Sequence, residues 1–120
     1  ALPVYGDGKN VRDWIYVKDH CLGVMAAFEN GRLGDRYCFG GNTEIKNLDL
    51  VHRICALLDE LVPGNKSYKE QISFVTDRLG HDHRYAIDDS KARAALKYKN
   101  PSSFEDNLKN TVRWYLENKN

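Results

Sequence analysis

The chain has 120 residues, with 18 lysines and arginines against 17 aspartates and glutamates, a formal net charge of +1. That length suits one domain, able to bury roughly two thirds of its unfolded surface. Balanced charge without a polybasic run argues against a nucleic-acid partner or a membrane surface, and no apolar run nears the ~20 residues of a membrane span.

There is no signal-peptide pattern, and the chain starts Ala1-Leu2-Pro3 without a methionine, which reads as a processed end or a piece cut from something longer. Three widely spaced cysteines, Cys21, Cys38 and Cys55, read as reduced thiols in a cytoplasmic protein.

The first stretch is extended, held off helix by Pro3, and ends at the turn signal Gly6-Asp7-Gly8. An apolar-rich run follows (Val11, Trp14, Ile15, Tyr16, Val17), broken by Arg12-Asp13. Asp19 is a helix-start signal and Asn30-Gly31 a stop, with Cys21, Met25 and Phe28 on one face between them. Residues 36–40 (R-Y-C-F-G) read as a short strand ended by Gly40-Gly41-Asn42. The strongest helix pattern covers residues 47–62: Asn47 as cap, Val51, Ile54, Cys55, Leu58 and Leu61 as stripe, Pro63-Gly64 as stop. Residues 71–76 read as a strand built on Ile72, Phe74 and Val75.

Beyond a polar cluster at 77–85 the remainder is helical. Asp88 or Asp89 caps a short segment containing Ala92, Ala95 and Leu96. Ser102-x-x-Glu105 is a capping-box pattern ahead of Phe104, Leu108, Val112, Tyr115 and Leu116. The pattern predicts a small α/β domain with few short strands and about four helices. Its sheet is too small to be doubly wound, and no glycine-rich phosphate loop opens a nucleotide-binding β-α-β unit.

Two places carry possible chemistry. Arg12 is an arginine set among large apolar neighbours at a turn-to-helix junction, a charge that needs a carboxylate or a phosphate beside it. The cluster at 77–85 holds Asp77, Arg78, Leu79, Gly80, His81, Asp82, His83, Arg84 and Tyr85 just after a strand, where folds place ligand contacts. Arg78 and Arg84 suit phosphate oxygens as rigid forks. The opposing reading has the cluster's charges neutralising one another on a solvated turn, and Arg12 paired with Asp13 as a structural salt bridge. Asn47 is most simply a helix cap, though its amide can also meet a ligand at a helix start that suits anions.

Two apparent signals fail. The pairs His20-Cys21, His52 with Cys55, and His81 with His83 lack second pairs at zinc-like spacing, and Cys21 and Cys55 sit on apolar stripes, so buried structural cysteine is expected and no metal. Tyr5 and Lys9 have Tyr-x-x-x-Lys spacing, but Gly6-Asp7-Gly8 between them breaks the helix on which that spacing works. Read from residues alone, the chain is a binding domain for a phosphorylated small molecule without a complete catalytic apparatus.

Three motifs carry a resemblance: L-P-V-Y-G-D-G-K-N-V-R-D-W-I-Y-V-K-D-H from Leu2, G-G-N-x-E-x-x-N-L from Gly40, and D-R-L-G-H-D-H-R-Y-A-I-D from Asp77. With the tail at Phe104-Glu105 and Thr111-Val112-Arg113-Trp114-Tyr115-Leu116, they make the whole chain resemble the C-terminal part of the dTDP-glucose 4,6-dehydratases, a family of extended short-chain dehydrogenases. The resemblance implies a C-terminal nucleotide-sugar-binding domain lacking the family's N-terminal NAD-binding Rossmann domain, its Tyr-x-x-x-Lys and its dehydration residues. The family oxidises dTDP-glucose at C4 with bound NAD, eliminates water across C5 and C6, and returns the hydride to C6. The piece alone is then expected to be inactive and to bind no NAD. The complete enzyme is expected to be a cytoplasmic homodimer acting on dTDP-glucose.

Carried over by the resemblance, Pro3, Val4 and Tyr5 lie against thymine, Arg12 contacts the diphosphate and Asn47 the substrate. Asp77, Arg78, Leu79, Gly80 and His81 form the loop that closes on the nucleotide. Leu79 departs from the proline usual in the family, which loosens that loop. The alternatives are a relative acting on UDP- or GDP-sugars and a free-standing nucleotide-sugar-binding module. Surface covered by the missing domain is expected as an apolar patch near the first strand.

Overall fold

The structure, a computed structural model, describes residues 1–118. Its elements in chain order are β1 (Leu2–Tyr5), β2 (Val11–Asp13), α1 (Val17–Asn30), β3 (Glu44–Lys46), α2 (Asn47–Leu61), β4 (Ile72–Val75), α3 (Ser90–Leu96) and α4 (Phe104–Glu117), with a 3₁₀ turn at Tyr68–Gln71 before β4. The strands form two separate pairs. β1 runs parallel to β4 from Leu2↔Ile72 to Tyr5↔Val75, and β2 runs antiparallel to β3 from Val11↔Lys46 to Asp13↔Glu44. The period-2 rule is visible in β1, where Val4 points into the core while Pro3 and Tyr5 face out.

The expected helices form, with shifted starts that have physical causes. α1 begins at Val17, two residues before Asp19, because Tyr16 is already extended and ends the preceding strand-like run. Asp19 therefore lies in the first turn, where the helix dipole favours a carboxylate, and its buried side chain accepts hydrogen bonds from the amides of Asn100 and Asn107 at 3.4 and 3.3 Å. The apolar face Cys21, Met25 and Phe28 is turned to the exterior, so Cys21 is not the buried structural thiol expected. α1 packs instead through its small residues: a β-carbon at Gly23 would sit 2.6 Å from the Phe39 ring, and Ala26 and Ala27 join the cluster of Ala92, Leu96 and Tyr98. Cys55 in α2 is fully buried as expected.

Asn47 is not the cap of α2 but its first helical residue, after Lys46. Backbone carbonyls do the capping: Asn10 O accepts from Asn47 N and Gly8 O from Leu48 N, both at 2.9 Å, so two of the orphan donors at this helix start are satisfied by the first loop. In α4 the cap is shifted by one residue from Ser102. Ser103 Oγ accepts from Asp106 N at 3.2 Å, and Glu105 is freed to pair with Arg53 at 2.7 Å. Tyr115, assigned to the α4 stripe, is exposed; Asn107 and Val112 are the buried residues of that helix.

Residues 36–40 do not pair as a strand. Tyr37 and Phe39 turn inward onto the α3 cluster and Cys38 outward, an alternation proper to a strand, yet no described strand lies beside this backbone to complete a ladder. The apolar surface expected near the first strand is present, with Tyr5 45% and Phe74 59% exposed. No helix among the described residues is long and apolar enough to cross a membrane.

α3 is anchored by an ion pair between Asp89, side chain 6% exposed, and Arg93 at 2.7 Å. The hydrogen bond from Arg93 holds the Asp89 carboxyl below its ordinary range. A depressed carboxylate stabilises the fold above its unfolded pKa of about 3.9 and loses that contribution as pH falls through the folded value. Asp89→Asn is therefore expected to cost about 2 kcal/mol at pH 7 in urea denaturation, with the gap from the parent narrowing below about pH 4.

Candidate functional site

The first loop and the loop following β4 are built against each other. Gly6 has φ +59°, and a β-carbon there would lie 2.7 Å from Asp77 Oδ2, so only glycine lets the turn after β1 meet residue 77 this closely. Gly6 N donates to Val75 O at 2.9 Å, extending the β1–β4 pairing into the turn. Past the turn, β2 sends its neighbouring residues Arg12 and Asp13 to different partners. Asp13 accepts from the backbone N–H groups of Gly41 and Thr43 at 3.0 and 2.7 Å, fixing the approach to β3. At Gly41 a β-carbon would collide with Trp14 O at 1.9 Å, so this return is also restricted to glycine.

Arg12 forms no ion pair with Asp13. Its guanidinium donates to Val11 O at 2.7 Å and Asp82 O at 2.8 Å, and its Cζ stands 4.4 Å from the centre of the Tyr85 ring. Val11 and the second loop exchange backbone hydrogen bonds, Val11 N to His83 O at 2.8 Å and Tyr85 N to Val11 O at 3.0 Å. The first motif and the third, separated by about seventy positions, thus form one surface.

Within residues 77–85 the charges do not cancel in the way a solvated turn suggests. Asp77 accepts from His81 Nδ1 at 2.7 Å and from Arg78 N at 2.8 Å; the His81 bond holds its carboxyl below the usual carboxylate range. The Asp82 carboxylate accepts from the Tyr85 hydroxyl and pushes that phenol's pKa upward. Arg84 is committed elsewhere, in a two-pronged pair with Glu44 of β3 at 2.7 and 2.9 Å, which removes it as an anion ligand. Arg78 lies over the Tyr5 ring at 5.5 Å. Among the described residues, neither Arg12 nor Arg78 has a carboxylate within ion-pair distance. Both act electrostatically on the Tyr85 hydroxyl, lowering its pKa against the larger effect of Asp82.

His81 turns Nδ1 to the Asp77 carboxylate at 2.7 Å, with Asn10 Nδ2 3.2 Å from the same nitrogen, so neither of these side chains engages Nε2. Asn47, half-buried at the start of α2, makes no side-chain hydrogen bond to a described residue. Pro3 and Tyr5 present their side chains outward from β1, whereas Val4 is 1% exposed and has only backbone to offer a ligand. Leu79 is fully exposed at the tip of a turn closed by His81 N to Arg78 O at 3.2 Å, with Gly80 at φ +72°. Neither Arg12 nor Arg78 lines the cavity of about 240 Å³ bordered by Trp14, Asp19, Phe104 and Asn107.

The family described as GDP-mannose 4,6 dehydratase matches residues 1–111. The chain belongs to this family. It is 51% identical over 118 residues to dTDP-glucose 4,6-dehydratase 1 of Escherichia coli, an alignment covering 98% of the chain and 33% of that protein. The crystal structure of dTDP-glucose 4,6-dehydratase from Streptomyces venezuelae, with NAD bound, superposes with a TM-score of 0.86 at 42% identity, covering 99% of the chain and 35% of the other. The corresponding Bacillus anthracis enzyme in complex with NAD gives 0.85 at 41%, covering 98% and 35%. The chain therefore spans about a third of the length of the relatives it matches.

In this family member, the described residues do not form a dinucleotide seat of the glycine-rich type. Such a seat needs a strand, a glycine-rich turn and a helix N-terminus in succession, whereas Gly6-Asp7-Gly8 leads from β1 into β2.

Two residues now stand out that sequence reasoning did not assign. Tyr85 was only the last member of a polar cluster. Asn10 is buried, with Nδ2 3.4 Å from Asp82 O and its carbonyl on Asn47 N. For Tyr85 the available signal was an aromatic residue closing a run of charges; Asn10 gave none, because its partners are about seventy and forty positions away. The Arg78–His81 turn, with positive φ at its third residue, favours proline at its second. Leu79→Pro is expected to stabilise the protein by about 0.5 kcal/mol in urea denaturation, with a slower-exchanging His81 amide.

Proposed function

We propose that this chain is the nucleotide-sugar-gripping C-terminal domain of a dTDP-glucose 4,6-dehydratase. Hydride and proton transfer fall to an NAD-binding domain not contained in the 120 residues. The observation that carries the reading is the pair of guanidiniums, Arg12 and Arg78, brought onto one surface without carboxylate partners while the neighbouring Arg84 is neutralised by Glu44. A diphosphate supplies the missing negative charge, and guanidinium forks match its oxygens. The nucleotide assignment is supported by the dTDP-glucose 4,6-dehydratase relatives at 41–51% identity.

In this reading Arg12 and Arg78 hold the diphosphate, the Asn47 amide adds a hydrogen bond to the substrate, and His81 belongs to the loop that closes on the nucleotide. Pro3, Tyr5 and the backbone of Val4 meet the thymine. Asp77 fixes the His81 ring, while Leu79 and Gly80 shape the turn that closes on the nucleotide. These groups bind and orient; they move no proton at the sugar. The exposed strip of β1 and β4, together with the outer face of α1, is the surface the dinucleotide-binding domain covers. The family resemblance carries with it a cytoplasmic, homodimeric enzyme, and the chain alone is expected to be inactive.

The test is Arg12→Ala in the complete enzyme. Loss of charge-assisted hydrogen bonds predicts a dTDP Kd weaker by about 10- to 100-fold and a raised KM, with Arg12→Lys recovering only part. Unchanged dTDP affinity would remove Arg12 from this role. Competition among dTDP, UDP and GDP tests the base: tighter binding of UDP or GDP overturns the dTDP assignment in favour of a relative acting on those sugars.

A further inference from the structure

We propose that Tyr85 is the positioning residue for Arg12, holding its guanidinium in the one orientation from which it can meet a diphosphate; this rests on the nucleotide-sugar reading above. Arginine has a long side chain with about 2 kcal/mol of rotamer freedom, so an unpaired guanidinium at a surface does not hold an orientation unless something fixes it.

Here three contacts fix it, and Tyr85 bears on each of them. The ring lies under the guanidinium, with Cζ 4.4 Å from its centre, within reach of a cation–π attraction. The backbone N–H of Tyr85 donates to Val11 O at 3.0 Å, the same carbonyl that accepts from Arg12 Nη1 at 2.7 Å. The Tyr85 hydroxyl donates to the carboxylate of Asp82, the residue whose carbonyl accepts from Arg12 Nη2 at 2.8 Å. The ring, the Asp82 carbonyl and the Val11 carbonyl surround the guanidinium with neutral groups, so they orient the charge without neutralising it. A carboxylate in the same place would orient Arg12 equally well and cancel its attraction for an anion. Asp82 avoids this because its carboxylate is turned to the Tyr85 hydroxyl and only its carbonyl meets Arg12.

The experiment is a double-mutant cycle in the complete enzyme, with dTDP binding measured by calorimetry. Tyr85→Ala is expected to weaken dTDP about fivefold, and Tyr85→Phe, which keeps the ring but releases the Asp82 carboxylate, to give a smaller loss. In an Arg12→Ala background, Tyr85→Ala is expected to have no further effect, because it acts through the guanidinium already removed. Additive losses would show that Tyr85 acts independently of Arg12 and overturn the inference, as would a Tyr85→Ala enzyme that binds dTDP like the parent. If Arg12→Ala itself leaves dTDP binding unchanged, the nucleotide-sugar reading has failed rather than this refinement of it. Should Tyr85→Ala not fold, Tyr85→Leu, which keeps bulk without the π face, is expected to give the same fivefold loss and the same absence of effect beside Arg12→Ala.

Discussion

The site depends on how one cation is held. Arg12 is surrounded by two carbonyl oxygens and an aromatic ring, and by no carboxylate among the described residues. A cation solvated by neutral dipoles stays where it is put and keeps its charge for something else. The surrounding carboxylates are each diverted: Asp13 to the backbone of Gly41 and Thr43, Asp77 to His81, Asp82 to Tyr85, and Glu44 to Arg84. Negative charge is plentiful nearby, yet among the described residues none of it comes within ion-pair distance of Arg12 or Arg78. That distribution leaves both guanidiniums without an ion-pair partner, as the proposed diphosphate site requires.

The same contacts tie the fold together. The first loop gives Gly8 O and Asn10 O to the first two N–H groups of α2, and Val11 exchanges hydrogen bonds with residues 83 and 85. The helix start carrying Asn47 and the loop carrying Arg78 and His81 are therefore both fastened to the segment that carries Arg12. In this arrangement, site geometry and local stability share one set of bonds. A change that loosens the first loop disturbs the helix start and the second loop together.

The exterior is built on different terms. Phe28 on α1, Phe74 on β4 and Tyr5 on β1 are substantially exposed, and residues 36–40 alternate as a strand does without pairing. Apolar surface of this extent on a small domain marks a place where something packs. The chain matches only about a third of the length of its relatives, and these faces fit the reading in which a further domain covers them.

By itself the sequence determined the helices, two of the strands, the glycine turns and the two loops worth attention. These follow from local rules: hydrophobic period, stop signals, and the freedom of glycine at positive φ. It did not determine β2 and β3, which are three residues each and exist because they pair with one another. Nor did it place the start of α2, where distant carbonyls took the capping role that Asn47 offered, or the facing of α1, where Gly23 and the alanines pack more closely than Met25 and Phe28 can. Above all it left open whether the arginines were free or paired. That answer lies in contacts between residues forty to seventy positions apart, Glu44 with Arg84 and Arg12 with Asp82, and only the folded chain brings them within hydrogen-bond reach.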